Sequence, residues 1–508
     1  MLNMTVRQTN KLIRATVKSD NLRLGRFFTK KETARLLAGL LELPDKPAVR
    51  VLDAGAGTGI LSAAVIERLC ESGTVREIRL LCCENDARCL PVLKDNLERL
   101  RRLCRRRYKV RLAATVLEEN FVLAGRSAYT LSLYKDEPEL FDLVLTHPPT
   151  ALLAPASPEA LCVPDLFSGE VDLCYLFLAM AECALAPGGQ LAAILPTAFA
   201  TSPSLTRMRR FFFSQNTPRR IHVFETGKAA KPLKKTFVLT MTHRAPAPDD
   251  TVVFSASRDA GTPEKTVILD PLPLSQVMTE PRRSLLLMHD PAEVQVLAYM
   301  RRLPCSFAYY GLRMKTGLTL PSRYRACLFD EPARGLIPLI CPAAVSEGRV
   351  AFPVIEKSSR IPLPGQYVSP VIPSLMQRNR NMLFIKRVPA RSDGRRLVCA
   401  VYLASQLPGY TMISTHNKLN YIDTSSKGEM DPAFLWGLYA FLTSAPYDLY
   451  VRILSKSGQI NAGEFSDLPL PTADVLRKMG SRLMAVKLYS PDYCDKVVAE
   501  VMRISVKM

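Results

Sequence analysis

Between about Arg50 and Ala200, short apolar runs alternate with longer stretches whose apolar residues recur at helical spacing. The runs VRVLDAG, IRLLCCE, FDLVLTH and GQLAAILP are each expected to be strands, with a helix after each of the first three. This strand–helix alternation implies an α/β fold with a parallel sheet covered on both faces. An open sheet of that kind binds its ligand at the carboxyl ends of its strands, so chemistry is expected where the runs stop. Residues 246–266 are polar and turn-rich, and beyond about 280 the pattern turns irregular, proline-rich and arginine-rich. The expected division is therefore 1–280 and 281–508. LCYLFLAMAECALA, at 173–186, is too short to span a bilayer and is interrupted by Glu182, so it reads as a helix inside a soluble domain.

Composition narrows the partner. The 508 residues are 48% hydrophobic, enough for more than one core. A net charge of +21 draws a polyanion and makes its binding salt-dependent, so nucleic acid leads a basic enzyme with a merely solvated positive surface. The first 18 residues carry no apolar signal core, which points to the cytoplasm and to no membrane partner. Thirteen cysteines without a C-x-x-C pair, and five histidines without ligand spacing, imply reduced thiols and no metal.

The strongest local signal is D-A-G-A-G-T-G, running from Asp53 through Gly55, Gly57 and Gly59 into ILSAAVIERL. Glycines at a strand-to-helix turn let the backbone approach a ligand, and the helix start offers unpaired N–H groups. The dinucleotide fingerprint would need a glycine where Ile60 stands, which disfavours a nicotinamide cofactor. Asp53 suits an ammonium-bearing ligand, and Glu84, closing LLCCE, is placed to accept ribose hydroxyls. The basic run RRLCRRRYKVR at 101–111 is either a phosphate-contacting patch or a solvated helix face.

These residues resemble the first two motifs of class I S-adenosylmethionine methyltransferases. Upstream, LGRFFTKKETARLLAGLL resembles the G-x-F/Y-F-T-P motif of the gamma class of adenine-specific DNA methyltransferases, with Lys30 in place of the proline. The resemblance implies that Phe27, Phe28 and Thr29 line the cofactor's methionine and adenine moieties. It also places Asn120 and Phe121 at the family's D-F/L motif, against the cofactor's adenine. ILPTAFATSPSLTRMRRFFFSQNTPRRIHVFETGK, at 194–228, is similar to later blocks of the same family. MKTGLTLPSRYR, FIKRVPARSDGRRLV, THNKLNYI and SGQINAGEFSDLPLP resemble its target-recognition region, so the second half is expected to be a mixed α/β target-recognition domain.

The catalytic loop departs from the pattern. The family ends a strand with Asn/Asp-Pro-Pro-Tyr/Phe, whereas this chain has His147, Pro148, Pro149 and Thr150. An adenine amine is a poor nucleophile because its lone pair is delocalised into the ring. In the family the base is flipped out, its amine donates to the first side chain and to the proline carbonyl, and the aromatic residue stacks on it. Pro148 keeps its carbonyl and neutral His147 keeps an acceptor nitrogen, but Thr150 cannot stack, and Phe199 is the candidate to replace it.

The resemblance implies double-stranded DNA as partner. Arg323, Arg325, Arg387, Arg391, Arg395, Arg396 and Asn461 are its candidate contacts, among further clusters such as Gln377–Arg380. Tyr421, Trp436, Tyr447 and Tyr450 read as core. The function implied is an adenine-specific DNA methyltransferase of a restriction–modification or phage-defence system. The alternative is a catalytically impaired pseudo-methyltransferase serving as a recognition or cofactor-sensing subunit. No nuclease domain is apparent, so cleavage would need a separate nuclease or defence subunit.

Overall fold

The computed structural model describes residues 1–15, 28–126, 140–167, 171–224, 236–258, 266–346, 348–355, 364–390, 393–424, 428–454, 459–465 and 468–503. Phe27 and Arg391 lie outside the described residues. The chain divides into two compact units, Met1–Asp290 and Pro291–Met508, so the division falls at 290 where the composition placed it near 280.

In the first unit, β1 (Ala48–Ala54) lies between β2 (Glu77–Cys83) and β4 (Phe141–Thr146), parallel to both. Beyond β2 runs β3 (Arg111–Leu117), and beyond β4 runs β5 (Leu185–Pro196), again parallel. β7 (Thr236–His243) is antiparallel to both its neighbours, β5 and β6 (Asn216–Phe224), and β8 (Thr251–Ser257) lies parallel beside β6. The order β3-β2-β1-β4-β5-β7-β6-β8 keeps the doubly wound arrangement through its first five strands, with the switch point between β1 and β4. The four expected strand runs fall in β1, β2, β4 and β5.

The helix expected over 173–186 ends earlier, as α1 (Leu173–Cys183). Leu185 already pairs with Phe141 in the sheet, and the Phe141 N–H donates to the Ala184 carbonyl at 2.9 Å, so sheet pairing wins over three further helical residues. Every residue of α1 from Cys174 to Cys183 is buried, which accounts for its apolar surface on all sides. No helix among the described residues is long and apolar enough to cross a membrane.

His222 on β6 is fully buried, with Nδ1 2.8 Å from the Ser255 hydroxyl and Nε2 2.9 Å from that of Ser257. Burial pushes its pKa from 6.5 down to about 4. The unfolded chain therefore takes up this proton at a higher pH than the folded one. Stability contributed by the neutral ring is present above pH 6.5 and lost as pH falls towards about 4. The expected loss is roughly 2–3 kcal/mol. Urea titrations of the wild type and His222→Gln should diverge across that window, and parallel curves would exclude His222 as the acid-sensitive group.

The second unit is built on a six-stranded sheet containing β9 (Leu312–Thr316), β10 (Gly348–Val350), β11 (Met382–Lys386), β12 (Cys399–Tyr402) and β13 (Leu419–Thr424). Their order is β9-β13-β11-β12-β10, with Val345–Ser346 on the outer side of β10. Two helices, Pro432–Thr443 and Ala473–Val486, meet backbone to backbone: a Cβ at Gly437 would strike the Leu476 carbonyl, and one at Gly480 the Ala433 carbonyl. Tyr421, Trp436, Tyr447 and Tyr450 are buried in this unit's core.

Candidate cofactor and catalytic site

The glycine turn leaves β1 at the switch point. Gly55, Gly57 and Gly59 have φ of +76°, +58° and +83°, in the left-handed region that a side chain would strain. The N–H groups of Gly55 and Ala56 donate to the Cys83 carbonyl at 3.1 and 2.9 Å, folding the turn over the end of β2. A Cβ at Gly55 would sit 3.1 Å from the Phe177 ring, whereas one at Gly57 would meet nothing within 4 Å. Gly59 immediately precedes the helix Ile60–Glu71.

Glu84 follows β2. Its Oε2 accepts the Gly57 N–H at 2.7 Å, and its Oε1 accepts those of Asn85 at 3.0 Å and Asp86 at 2.7 Å. One carboxylate thus ties the glycine turn to the loop after β2. A cavity of about 300 Å³ lies beside it, the lower end of the range for small-molecule sites. The cavity brings together Phe28, Gly55, Gly57, Glu84, Asn120, Phe121, His147 and Pro149, which come from the ends of four strands and the segment before the first helix of the sheet. Three acids, Glu84, Asp86 and Glu119, stand on its wall; Asp86 is already paired with the Arg88 guanidinium at 3.1 Å, and Glu84 and Glu119 suit a cationic ligand.

Asp53 does not line this cavity. It is fully buried, and its Oδ2 accepts the Ser62 N–H at 3.1 Å and hydroxyl at 2.5 Å. Burial pushes its carboxyl up to about 6, Glu84 adds to the rise, and the Ser62 bonds oppose it. Direct contact of Asp53 with an ammonium group is therefore not what the structure offers; the carboxylate steadies the helix start instead. Its Oδ1 is buried without a hydrogen-bond partner among the described residues.

Asn120 is more committed than its motif position implies. Its Oδ1 accepts the Val122 N–H at 3.0 Å and its Nδ2 donates to Glu159 at 2.9 Å, leaving one amide hydrogen for a ligand. Phe121 packs against Phe177, with ring centroids 5.2 Å apart. Sequence reasoning missed Glu119, Glu159 and Phe177: the first two carry no motif, and Phe177 is hidden in a uniformly apolar helix.

His147 follows β4, whose end is fixed by the Thr146 hydroxyl donating to the Ala54 carbonyl at 2.9 Å. Its Nδ1 is 2.8 Å from the Thr29 hydroxyl. Desolvation pushes its pKa down to about 4, so the ring is neutral near pH 7. The Thr150 hydroxyl is buried without a hydrogen-bond partner among the described residues, and the half-buried side chain carries no ring to stack on a base. Phe199 does not replace it. It is fully buried against Tyr175, Phe212 and Phe213, and its own carbonyl accepts from the buried Arg209 guanidinium at 3.1 Å.

In the second unit, several candidate contacts are spent internally. Arg387 donates to Asn461 at 3.3 Å and to the Asn417 carbonyl at 3.5 Å, and Arg395 pairs with Asp495 at 2.5 Å; at Arg396 it is the backbone N–H that donates to Asp448. Asn379 donates to the Leu407 and Tyr410 carbonyls and accepts from Tyr402. Arg323 and Arg325 are exposed. In the first unit, Arg101 and Arg102 of the 101–111 run pair with Glu98 on the same helix, as on a solvated face.

No protein-family model matches the chain. It is 24% identical over 468 residues to the type II methyltransferase M.PstI of Providencia stuartii, covering 91% of this chain and 89% of that one. It is 22% identical over 465 residues to the type II methyltransferase M.BsuBI of Bacillus subtilis, covering 90% and 89%. Among solved structures, the type IIL restriction-modification enzyme MmeI in complex with DNA superposes over 100% of this chain and 75% of its own at a TM-score of 0.49 and 10% identity. A putative class I S-adenosylmethionine-dependent methyltransferase from Listeria monocytogenes does so over 50% and 71% at a TM-score of 0.38 and 16% identity. Both structural likenesses are too loose to argue from.

Proposed function

From its kinship with the type II methyltransferases along nine-tenths of its length, an S-adenosylmethionine-dependent methyltransferase by descent, we propose that this chain methylates the exocyclic amine of adenine in duplex DNA within a restriction–modification system. The observation that carries the reading is one cavity that brings Phe28, Gly55, Gly57, Glu84, Asn120 and Phe121 together with His147. The residues fit the cofactor: Glu84 and Glu119 suit a cation, Gly57 leaves room for the ligand, and aromatic Phe28 and Phe121 suit an adenine. When bound, the cofactor supplies a methyl group made electrophilic by its positively charged sulfur.

The chain's own residues act on the target amine. Neutral His147 accepts one of its hydrogen bonds and the Pro148 carbonyl is the candidate for the other, drawing the lone pair out of conjugation as positive charge develops. The amine that accepts the methyl group would shed one proton, to the Nε2 lone pair of His147 or to water. Neither proline at 148 or 149 has an N–H, so none competes with the amine for those acceptors. A protonated imidazole in that place would oppose the forming charge. Exposed Arg323 and Arg325 are the candidate phosphate contacts, and the side chains of Arg387, Arg395 and Asn461 hold the second unit together.

The test is transfer of labelled methyl from S-adenosylmethionine to unmethylated mixed-sequence duplex, followed by separation of the nucleosides. Label in N6-methyladenine is expected, with DNA affinity falling steeply as salt rises. Label in cytosine would overturn the target base. Cofactor and DNA binding without any transfer would turn the chain into a recognition subunit.

A further inference from the structure

A histidine can replace a carboxamide as hydrogen-bond acceptor in one tautomer only. With the proton on Nδ1, Nε2 carries a lone pair; with the proton on Nε2, the ring opposes a second donor. An adenine amine is such a donor, so the tautomer decides whether His147 helps or blocks it. Thr29 is the partner that can fix the choice, since its hydroxyl lies 2.8 Å from Nδ1. Among the described residues, Nε2 has no hydrogen-bond partner, and His147 lines the cavity.

The two residues reach one another over 118 positions of sequence. Thr29 immediately precedes the segment that leads into the helix Lys31–Leu40, and His147 leaves β4. The Thr146 hydroxyl anchors the end of β4, and Pro148 and Pro149 restrict the backbone beyond it. The imidazole therefore stands on a stiff loop, with Thr29 as its fixed neighbour on the Nδ1 side.

We propose that Thr29 is the positioning residue of this site: its hydroxyl oxygen accepts the proton held on Nδ1 of His147, leaving the Nε2 lone pair for the target amine. The inference deepens the methyl-transfer reading and rests on it. It also accounts for the departure from Asn/Asp at position 147, because the hydroxyl turns the ring into an acceptor of one defined direction.

The test pairs a tautomer measurement, which needs no turnover, with kinetics. Nitrogen NMR on histidine-labelled protein, with the His147 signals assigned by loss in His147→Gln, should show the proton on Nδ1. Thr29→Val keeps the shape and removes the hydroxyl; Thr29→Ser restores it. Thr29→Val should mix the tautomers and lower kcat about tenfold, the value of one neutral hydrogen bond near the upper end of its range. Cofactor Kd should stay unchanged, and Thr29→Ser should recover both tautomer and kcat. A proton on Nε2 in the wild type would overturn the proposal. So would a tautomer indifferent to Thr29→Val, or a rise in cofactor Kd that matches the kinetic loss, which would make Thr29 a cofactor contact alone. If the wild type transfers no methyl, the functional reading fails, while the tautomer and its response to Thr29→Val still decide the pair.

Discussion

His147→Ala is expected to lower kcat for methyl transfer about 10²–10³-fold, the cost typical of losing one well-aimed acceptor or donor in a charged transition state. The loss should fall equally on kcat and kcat/KM, because the hydrogen bond strengthens only as the amine becomes positive. Cofactor affinity should hold, since the acids and glycines of the cofactor wall belong to other strand ends. Because the ring titrates at about 4, turnover should not follow its protonation near neutral pH. The converse exchange, His147→Asn with Thr150→Tyr, should raise the rate. It gives the base an aromatic face worth about 1–3 kcal/mol, a factor of about 5–150. An alanine variant as fast as the wild type would remove His147 from the catalytic role, and a restored motif with no gain would show that the missing aromatic face does not limit the rate.

What the sequence made legible is what chemistry writes locally. The apolar runs end where the ligand site lies, and the glycines of the β1 turn, Glu84 and His147 all stand at strand ends because a parallel sheet puts its loops there. Hydrogen bonds between distant segments were not legible. Asp53 looks like a ligand acid until the helix brings Ser62 onto it, and Arg387 looks like a DNA contact until Asn461, 74 positions away, takes its guanidinium. Phe199 looked available to stack because no local pattern shows that Arg209 and three aromatic rings enclose it. A charged or aromatic side chain in a motif states a capability, and the tertiary partners decide whether it is spent.

Glu84 shows the opposite case, a residue whose partners prepare it for a ligand. Three of the roughly four acceptor positions of its carboxylate are filled by the N–H groups of Gly57, Asn85 and Asp86, so it is held in place before any ligand arrives and has capacity left for about one ribose hydroxyl. Glu84→Ala removes that charge-assisted bond, worth about 1.5–3 kcal/mol, and releases the glycine turn from the loop after β2 at a further cost of about 1 kcal/mol. The sum of about 2.5–4 kcal/mol should raise the cofactor Kd about 10²–10³-fold. Glu84→Gln, which keeps one acceptor but presents an N–H to the backbone donors, should fall in between. The mechanism can be separated from simple charge attraction by titrating S-adenosylhomocysteine, which lacks the positive sulfur, beside S-adenosylmethionine. Acceptance of a ribose hydroxyl predicts equal losses for the two ligands, since both carry the same ribose. A loss confined to the charged ligand would make Glu84 part of the acidic wall with Asp86 and Glu119, and would leave the ribose to another group.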